Sequence, residues 1–486
     1  MKSKAILKKR IGLVSLFIIS SVVFLCAFSW STSPFFNYLG FDAGIFKSMA
    51  LFTKEGLMPY KDFFDHKGPI IIFVEFLGYG IINNDFVMLL LQAIFLTASL
   101  GGLYKISRFF LDTKKAIVCV FVALGICSFF MAGQGGNTVE EWIFPFIIWS
   151  MYFSVKFFMD TKNQEHNPQY TLLYGITLGV AAFSRLTNAM PILVLIAIIA
   201  IYLCKNKLWK NLFRNALFFV LGALIITVPI LAWSLLTGTF NEMIHATFIF
   251  NFKYLYLHGF VEDGFDLFIH IIRYMLPLFA SVIVQLYLLL NKKESGISIC
   301  LLAQSGIAII MQIISALYAH YLIIWVPTIF ITFILCLKHY KEMDKRIRLY
   351  FKIYMAVLAI VFVGTNALAI RKYVTYEQPF AKEYKACCKD IANHIPDKNK
   401  NIIAYNLNAN IYPIADIKPC YKNYFNQDLH TTLDIKTKSQ WKKDIHSKKV
   451  EYIIVNLKGH YLTKDYLKKH YKLYYKNDKL GILEKR

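Results

Sequence analysis

The sequence has 486 residues, of which 57% are hydrophobic, with a mean hydropathy of +0.47 and a formal net charge of +24. Several long runs carry no charged side chain. Since about twenty apolar residues span a bilayer, the composition indicates a polytopic membrane protein and excludes a soluble globule. There is no P-loop, dinucleotide fingerprint or CxxC zinc pattern, so the sequence gives no support for ATP-driven chemistry. No nucleic-acid partner is expected.

The first apolar run, residues 11–28, follows the basic residues 8–10. A signal peptide has a similar pattern, but this run is long for one and lacks a convincing small-x-small cleavage site. The favoured interpretation is an uncleaved first membrane span, with a signal peptide as the alternative.

Hydropathy predicts eleven membrane spans. They lie at about residues 11–29, 86–104, 116–132, 143–159, 171–184, 188–204, 215–236, 267–290, 297–315, 321–337 and 353–370. With the N-terminus cytoplasmic, the Lys- and Arg-rich loops fall on the cytoplasmic side, as the positive-inside rule requires. Eleven crossings then place the chain after about residue 371 on the outer side of the membrane.

The apolar stretch at residues 70–82 is interrupted by Glu75 and Gly78 and is too short for the hydrocarbon core. It predicts a helix along the outer interface, so that residues 30–85 form one outer loop. Counting this stretch as a span would instead place the Lys-rich loops outside.

Residues 371–486 are polar and basic, with strand-length apolar runs at 401–405, 450–455, 471–475 and 480–483 and a predicted helix at 380–394. This pattern predicts a small extracytoplasmic α/β domain after an α-helical transmembrane domain of residues 1–370. Its positive charge could dock on anionic lipid headgroups, or could reflect a general preference for Lys in this chain.

Cysteine usage indicates little about function. Six of the nine cysteines lie in or at predicted spans, whereas Cys387, Cys388 and Cys420 fall in the outer domain. Adjacent cysteines rarely pair with each other, so a disulfide there would join Cys420 to Cys387 or Cys388.

Ionisable residues crowd the first outer loop. Asp42, Asp62, Asp65, His66 and Lys67 lie within twenty-eight residues directly after the first span. Charge held at a membrane boundary is costly and usually marks a site for a substrate, ion or proton.

Further polar groups stand at the predicted outer ends of later spans. Glu140 and Glu141 precede the fourth span, Arg185 lies between the fifth and sixth, and His320 and Tyr321 begin the tenth. Carboxylates that accept a proton, beside cations that hold a phosphate, suit transfer from a phosphate-activated donor.

Several of these residues lie in motifs that resemble the glycosyltransferase C superfamily. The motifs are Asp-Ala-Gly at 42–44, Pro-Tyr-Lys-Asp at 59–62 and Asp-His-Lys-Gly-Pro at 65–69. The segment at 136–141 and the His-Tyr pair before the Pro-containing span at 320–327 are also similar. More narrowly, the chain resembles bacterial integral-membrane glycosyltransferases related to protein mannosyltransferases and aminoarabinose transferase, which are family 39-like.

The resemblance implies inverting transfer of a sugar from a polyprenyl-phosphate donor to an acceptor hydroxyl on the outer face. Asp42, whose carboxylate would be destabilised by desolvation, would be the base that takes the acceptor proton. The alternative is that Asp42 caps a helix starting near Ala43. Lys67 would hold the lipid phosphate, and the alternative is snorkelling to headgroups.

Asp65 and His66 would orient Lys67 in this interpretation. Arg185 would bind phosphate, or would form a structural pair with Glu140 or Glu141.

Glu140 and Glu141 would bind the acceptor or a metal, or would form a solvated helix start. His320, with Tyr321, is interpreted as a hydrogen-bonded interface residue rather than a catalyst. A divalent cation is conceivable but not required, since Asp42 could share one with Glu140 or Glu141 only if the loops meet.

The partners expected are a lipid-linked donor, membrane lipids and a glycolipid, polymer or protein acceptor. The rival interpretation is a polytopic transporter or lipid-carrier flippase. Transporters tend to place ionisable residues near mid-membrane and often contain inverted repeats. Here the polar groups gather on one side and no internal repeat is found, which favours an enzyme.

Overall fold

The computed structural model describes residues 2–131, 134–160, 165–253, 264–314, 317–433, 439, 441, 443, 450–459 and 464–486. The chain divides into two compact units. The helical unit comprises Met1–Ser29, Leu89–Ala232 and His258–Arg371. The sheet unit comprises Trp30–Met88, Trp233–Leu257 and Lys372–Arg486.

Within the described residues, ten helices are long and apolar enough to cross a membrane, and each overlaps a predicted span. They are Arg10–Phe28, Asp85–Ser107, Thr113–Met131, Val139–Met159, Leu186–Lys205, Trp209–Leu236, Gly264–Leu290, Ser295–Ile314, Ala319–Glu342 and Lys345–His394. The first of these continues a helix that begins at Lys2. The predicted α-helical polytopic fold is therefore confirmed.

The remaining predicted span, at residues 171–184, corresponds to a shorter helix, Pro168–Ala182. Its 15 residues rise only about 22 Å. It begins at Asn167, whose side chain accepts a hydrogen bond from the Gln169 N–H at 2.9 Å. Three residues beyond its end, Arg185 lies 3.2 Å from Glu140, at the start of helix Val139–Met159. The chain therefore returns alongside Val139–Met159 to the end where that helix began.

Helix Pro168–Ala182 approaches helix Trp209–Leu236 at two glycines. A Cβ added at Gly175 would lie 2.7 Å from the backbone nitrogen of Ala223, and one at Gly222 would lie 2.9 Å from the carbonyl carbon of Leu172. Neither glycine leaves room for a methyl group. Small residues at such a crossing let two membrane helices come close enough for extensive van der Waals contact.

The sheet unit contains shorter helices and all four described strands. Its helices are Phe41–Lys54, Pro69–Glu75 with the π-helical continuation Phe76–Gly80, Phe240–Ile244 with the continuation His245–Ile249, Gln378–His394, Ile411–Ala415, Gln427–Leu433 and Lys464–His470. The apolar helix Pro69–Gly80 is too short to span a bilayer, in agreement with the helix predicted at residues 70–82.

The four strands form one mixed sheet close to the predicted positions. They are β1, Ile402–Ala404; β2, Tyr452–Asn456; β3, Tyr471–Lys476; and β4, Leu480–Lys485. The spatial order is β1-β2-β4-β3, with β1 parallel to β2 and the other neighbours antiparallel. In register, Ile403 pairs with Ile453, and Ile454 pairs with Ile482.

Alternation along these strands sends one set of side chains into a buried cluster. Its members are Ile403, Tyr405, Tyr421, Trp441, Val450, Ile453, Val455, Leu467 and Tyr471. None of the nine cysteines, all within the described residues, forms a disulfide; Cys387 and Cys388 are buried and Cys420 is exposed. The disulfide considered for this region is therefore not formed in the structure.

The close helix crossing gives a first testable prediction. Gly175→Ala should lower the free energy of unfolding by about 1–3 kcal/mol, because the added methyl would strike backbone atoms that cannot rotate away. The thermal midpoint of the purified protein in detergent measures this loss. Gly306→Ala is the matched control, since a Cβ at Gly306 in helix Ser295–Ile314 meets nothing within 4 Å. Equal midpoints for the two variants would contradict the proposed packing.

Candidate active site

Asp42 lies in the first turn of helix Phe41–Lys54. The residue that caps this helix is Gly40, with φ +46°, and a Cβ there would lie 2.9 Å from Ser31 Oγ. The alternative interpretation of Asp42 as the cap residue is therefore wrong, because the helix begins two residues earlier than the sequence suggests. The Asp42 side chain, within the first turn, is 23% exposed.

Two features favour the ionised form of Asp42, which is the form that can accept a proton. The positive end of the helix dipole stabilises a carboxylate in the first turn. The Lys67 ammonium lies 3.9 Å from Asp42 Oδ1. Because the side chain is partly exposed, the desolvation expected from the sequence is only partial.

Lys67 is almost completely enclosed, with a side chain that is 7% exposed. Its Nζ lies 3.7 Å from Asp65 Oδ1 and 5.5 Å from the centre of the Phe46 ring. A snorkelling lysine would extend its ammonium into water. The enclosed position instead suits a fixed cation that faces an anionic ligand.

The Asp65 carboxyl contacts Lys67 at two points, the Lys67 backbone N–H and the Lys67 ammonium. Asp65 Oδ1 accepts a hydrogen bond from the Lys67 backbone N–H at 2.7 Å, in addition to the ion pair. Burial raises the pKa of the Asp65 carboxyl, while the Lys67 charge opposes that rise. These contacts agree with the predicted role of Asp65 in orienting Lys67.

The Pro-Tyr-Lys-Asp motif forms a tight turn that supports Lys67 from another direction. Asp62 Oδ2 accepts a hydrogen bond from the Met58 N–H at 2.7 Å, which closes the turn. Tyr60, buried and with φ +66°, donates its hydroxyl to the Lys67 carbonyl at 2.9 Å. A left-handed conformation is unusual for so bulky a residue and is found where the surroundings enforce it. Tyr60 belongs to the Pro-Tyr-Lys-Asp motif, but no local sequence feature indicates its contact with Lys67.

His66 anchors the same segment by contacts that differ from the prediction. Its ring stacks on Phe250 at 6.0 Å between centres, and its backbone carbonyl accepts a hydrogen bond from Asn251 Nδ2 at 2.8 Å. Phe250 also packs edge-on against His430, which is buried. Burial lowers the pKa of His430 to about 3, with a smaller effect of Lys67, so His430 is neutral. Phe250, Asn251 and His430 were missed because nothing in their local sequence links them to residue 67.

A second group of predicted residues meets within the helical unit. The guanidinium of Arg185 lies 3.2 Å from Glu140 Oε1 and 3.7 Å above the ring of Tyr321. His320 Nε2 lies 3.9 Å from Glu140 Oε2. Of the partners left open for Arg185, the structure selects Glu140, whose side chain is only 1% exposed.

Glu141 points to a different set of groups. Its Oε1 accepts hydrogen bonds from the backbone N–H and the hydroxyl of Thr138 at 3.0 and 3.1 Å. Its Oε2 accepts one from Gln92 Nε2 at 3.0 Å. These contacts form a capping box at the start of helix Val139–Met159, so Glu141 does belong to a helix start. That start is not solvated as the alternative supposed, because Glu140 is buried and Glu141 is half-buried.

The described part of the chain contains no group of three or more His, Cys, Asp or Glu side chains arranged to hold a metal ion. Asp42 belongs to the sheet unit, whereas Glu140 and Glu141 belong to the helical unit. Within the sheet unit, Asp42 and Lys67 place one partly exposed carboxylate beside one enclosed ammonium.

Comparison with known families finds a match in the first half of the chain. Residues 66–233 match the family described as dolichyl-phosphate-mannose-protein mannosyltransferase. The matched range contains Lys67, Glu140 and Arg185 and begins after Asp42. In sequence alone, no curated protein matches the chain at a significant level.

Solved structures with a similar fold include ArnT from Cupriavidus metallidurans. Its complex with undecaprenyl phosphate has a TM-score of 0.58 and 13% identity, covering 97% of this chain and 98% of that chain. Its apo state has a TM-score of 0.59 and 12% identity, covering 98% of each chain. The Archaeoglobus fulgidus oligosaccharyltransferase complex with Zn and sulfate has a TM-score of 0.52 and 13% identity, covering 97% of this chain and 73% of that chain. Residues 66–233 are thus similar to a mannosyltransferase family, and the chain as a whole has a fold similar to that of ArnT.

Proposed function

We propose that this chain is a membrane glycosyltransferase that moves a sugar, with inversion, from a polyprenyl-phosphate donor to an acceptor hydroxyl. The observation that carries the proposal is the pairing of the partly exposed Asp42 carboxylate with the enclosed Lys67 ammonium 3.9 Å away. Crystallisation of ArnT from Cupriavidus metallidurans with undecaprenyl phosphate supports a donor of this lipid class.

In the proposed reaction, Asp42 takes the proton of the acceptor hydroxyl as its oxygen bonds to the anomeric carbon. The bond between the anomeric carbon and the phosphate oxygen breaks on the opposite side, and its electron pair leaves with the polyprenyl phosphate. Direct displacement of this kind inverts the anomeric centre. A base of this type contributes about 10²–10⁴-fold to a rate.

Lys67 would stabilise the negative charge that develops on the leaving phosphate. A fixed cation in an enclosed site needs no reorganisation at the moment of reaction, which makes it effective in stabilising a developing anion. Asp65 keeps the ammonium in place through its ion pair with Lys67 Nζ at 3.7 Å. In this proposal Asp65 and His66 act as supports for Lys67 rather than as reacting groups.

Arg185 and the residues around it would bind substrate within the helical unit. Glu140 balances the charge of Arg185, and Tyr321 stacks on the guanidinium. Arg185 remains 15% exposed and could donate to a ligand from that fixed position. Glu141 would stabilise the start of helix Val139–Met159 through the capping box. His320 would help to position Glu140, which it contacts.

We place the reaction at the outer face of a bacterial cytoplasmic membrane, with the N-terminus cytoplasmic and residues 371–486 outside as a separate domain. Ten crossings would return both termini to one side, so this orientation requires helix Pro168–Ala182 to cross as well. Its return alongside Val139–Met159 to the level of Glu140 supports that crossing.

A transporter or lipid-carrier flippase is the rival proposal. It predicts movement of a lipid-linked sugar without formation of a new glycosidic bond. The match to a mannosyltransferase family favours transfer over transport.

Asp42→Asn should reduce sugar transfer about 10²–10⁴-fold, because the amide cannot accept the hydroxyl proton. Membranes containing the variant would be incubated with a panel of labelled polyprenyl-phosphate sugars, and labelled product would be measured. The amount of folded protein should match wild type, since the two side chains have the same shape.

Asp85→Asn is the matched control for that experiment. It removes another carboxylate–lysine pair of the sheet unit, with Lys47 at 2.7 Å, but at a site where Asp85 is half exposed. Surface pairs of this kind contribute about 0–1 kcal/mol, so transfer should be unchanged. Undiminished transfer by Asp42→Asn would eliminate Asp42 as the base, and lipid movement without any transfer would support the rival.

The Glu140–Arg185 pair gives a second prediction. Arg185→Gln should lower the free energy of unfolding by about 3–5 kcal/mol, because it leaves the buried Glu140 without its counter-charge. Adding Glu140→Gln removes that charge and should restore most of the lost stability, as measured by thermal unfolding in detergent.

Transfer activity of the double variant separates the two roles of Arg185. Restored stability with poor transfer is the expected result if Arg185 binds substrate. Restored stability together with wild-type transfer would show that the pair is only structural. No recovery of stability would contradict the direct pairing.

A further inference from the structure

We propose that Asn410 is a positioning residue for Asp42, so that the C-terminal part of the chain completes the reaction site. This inference rests on the proposed function of Asp42 as the base. It assigns to a residue 368 positions away the task of fixing the backbone from which that carboxylate extends.

Helix Phe41–Lys54 begins without a side-chain cap of its own. Its cap residue is Gly40, in a positive-φ conformation, which has no side chain to accept a capping hydrogen bond. Because glycine is conformationally permissive, the path of the chain entering this helix depends on contacts that other segments make with its backbone.

Asn410 supplies the external contact at this point. Its side-chain amide donates to the Leu39 carbonyl at 2.5 Å and lies 3.4 Å from the Gly40 carbonyl oxygen. The same amide donates to Asn408 Oδ1 at 2.8 Å, which fixes its orientation. These carbonyls immediately precede the turn that carries Asp42.

The neighbouring residue of the same segment holds the next turn of the helix. Ser48 Oγ donates to the Ala409 carbonyl at 2.9 Å. Tyr424, a little further along the chain, donates its hydroxyl to the Ile45 carbonyl at 3.3 Å. We call residues 408–410 the clamp segment. The clamp segment and Tyr424 therefore contact the helix, or the chain entering it, over its first two turns.

Gly44 shows how closely the clamp segment approaches. A Cβ at Gly44 would lie 2.8 Å from Asn410 Cγ and closer still to its amide nitrogen. The amide cannot swing aside without losing its bonds to Leu39 and Asn408. A glycine inside a helix is otherwise unfavourable, so the contact gives a physical reason for this one.

The clamp segment is itself tied to the sheet unit. Tyr384, in helix Gln378–His394, donates its hydroxyl to the Asn408 carbonyl at 3.3 Å. Lys67, in contrast, is held by Asp65 and Tyr60. The distance between base and cation thus depends on two separate supports, and loss of one displaces Asp42 relative to Lys67.

Asn410→Ala should lower kcat about tenfold or more with little change in the donor KM, because a shift of about 1 Å in a reacting group can cost a hundredfold. The measurement uses the purified full chain and the polyprenyl-phosphate sugar that wild type transfers, with rates expressed per folded protein. Asn477→Ala is the matched control. Asn477 donates its amide to the Cys387 carbonyl at 3.0 Å in the same unit, away from the clamp segment.

Gly44→Ala tests the contact between Gly44 and Asn410 by changing the helix instead of the asparagine. It keeps every hydrogen-bonding group. Alanine favours a helix more than glycine, so helix stability alone predicts wild-type or better activity. The clamp predicts a lower kcat, since the methyl displaces the Asn410 amide. With Asn410→Ala already present, Gly44→Ala should add little, because the group that it strikes is gone.

Each outcome decides for or against the inference. A kcat for Asn410→Ala equal to that of Asn477→Ala, or fully additive effects of Gly44→Ala and Asn410→Ala, would overturn it. If Asn410→Ala yields no folded protein, Gly44→Ala alone decides, and a wild-type kcat rejects the clamp. Retained transfer by Asp42→Asn would overturn both the base and the clamp. Loss of transfer in Asp42→Asn, together with a wild-type kcat in Asn410→Ala, would overturn only the positioning role of Asn410.

Discussion

Enclosing the charge of Lys67 is the constraint on which the rest of the site depends. An ammonium removed from water is costly unless carboxylates and hydrogen-bond acceptors surround it. Asp65 and Asp42 supply the carboxylates, and the Tyr60 hydroxyl fixes the Lys67 backbone. Because two carboxylates face one ammonium, a bound phosphate must compete for it. The partial exposure of Asp42 marks the side from which such a ligand could enter.

Sequence patterns were sufficient to predict much of the fold, because membrane spans and strands both produce a local pattern of hydropathy. Helix Pro168–Ala182 shows the limit of this reasoning. Its apolar run is shorter than a typical span, and its close packing at Gly175 against helix Trp209–Leu236 is not visible in any local pattern. The strands β2 and β4 follow the predicted apolar runs because alternation and turn residues are local features as well.

The residues of the site likewise divide into those that the local sequence predicts and those that it does not. Asp42, Asp65 and Lys67 could be predicted, because ionisable residues crowded after a membrane span have few purely structural explanations. Asn410 and His430 could not, since an isolated Asn or His in a polar segment carries no local signal. Their roles arise from tertiary contacts with residues hundreds of positions away in the chain, and only the folded structure shows those contacts.

The central claim, that Lys67 holds the phosphate of the lipid carrier, is tested most directly by binding without turnover. Native mass spectrometry of the purified chain would compare undecaprenyl phosphate with undecaprenol, which lacks the phosphate. Wild type and Asp42→Asn should prefer the phosphate, and Lys67→Met should lose about 10–100-fold of that preference, the size of a hydrogen bond to a charged group. An unchanged preference in Lys67→Met, with the protein folded, would contradict the account.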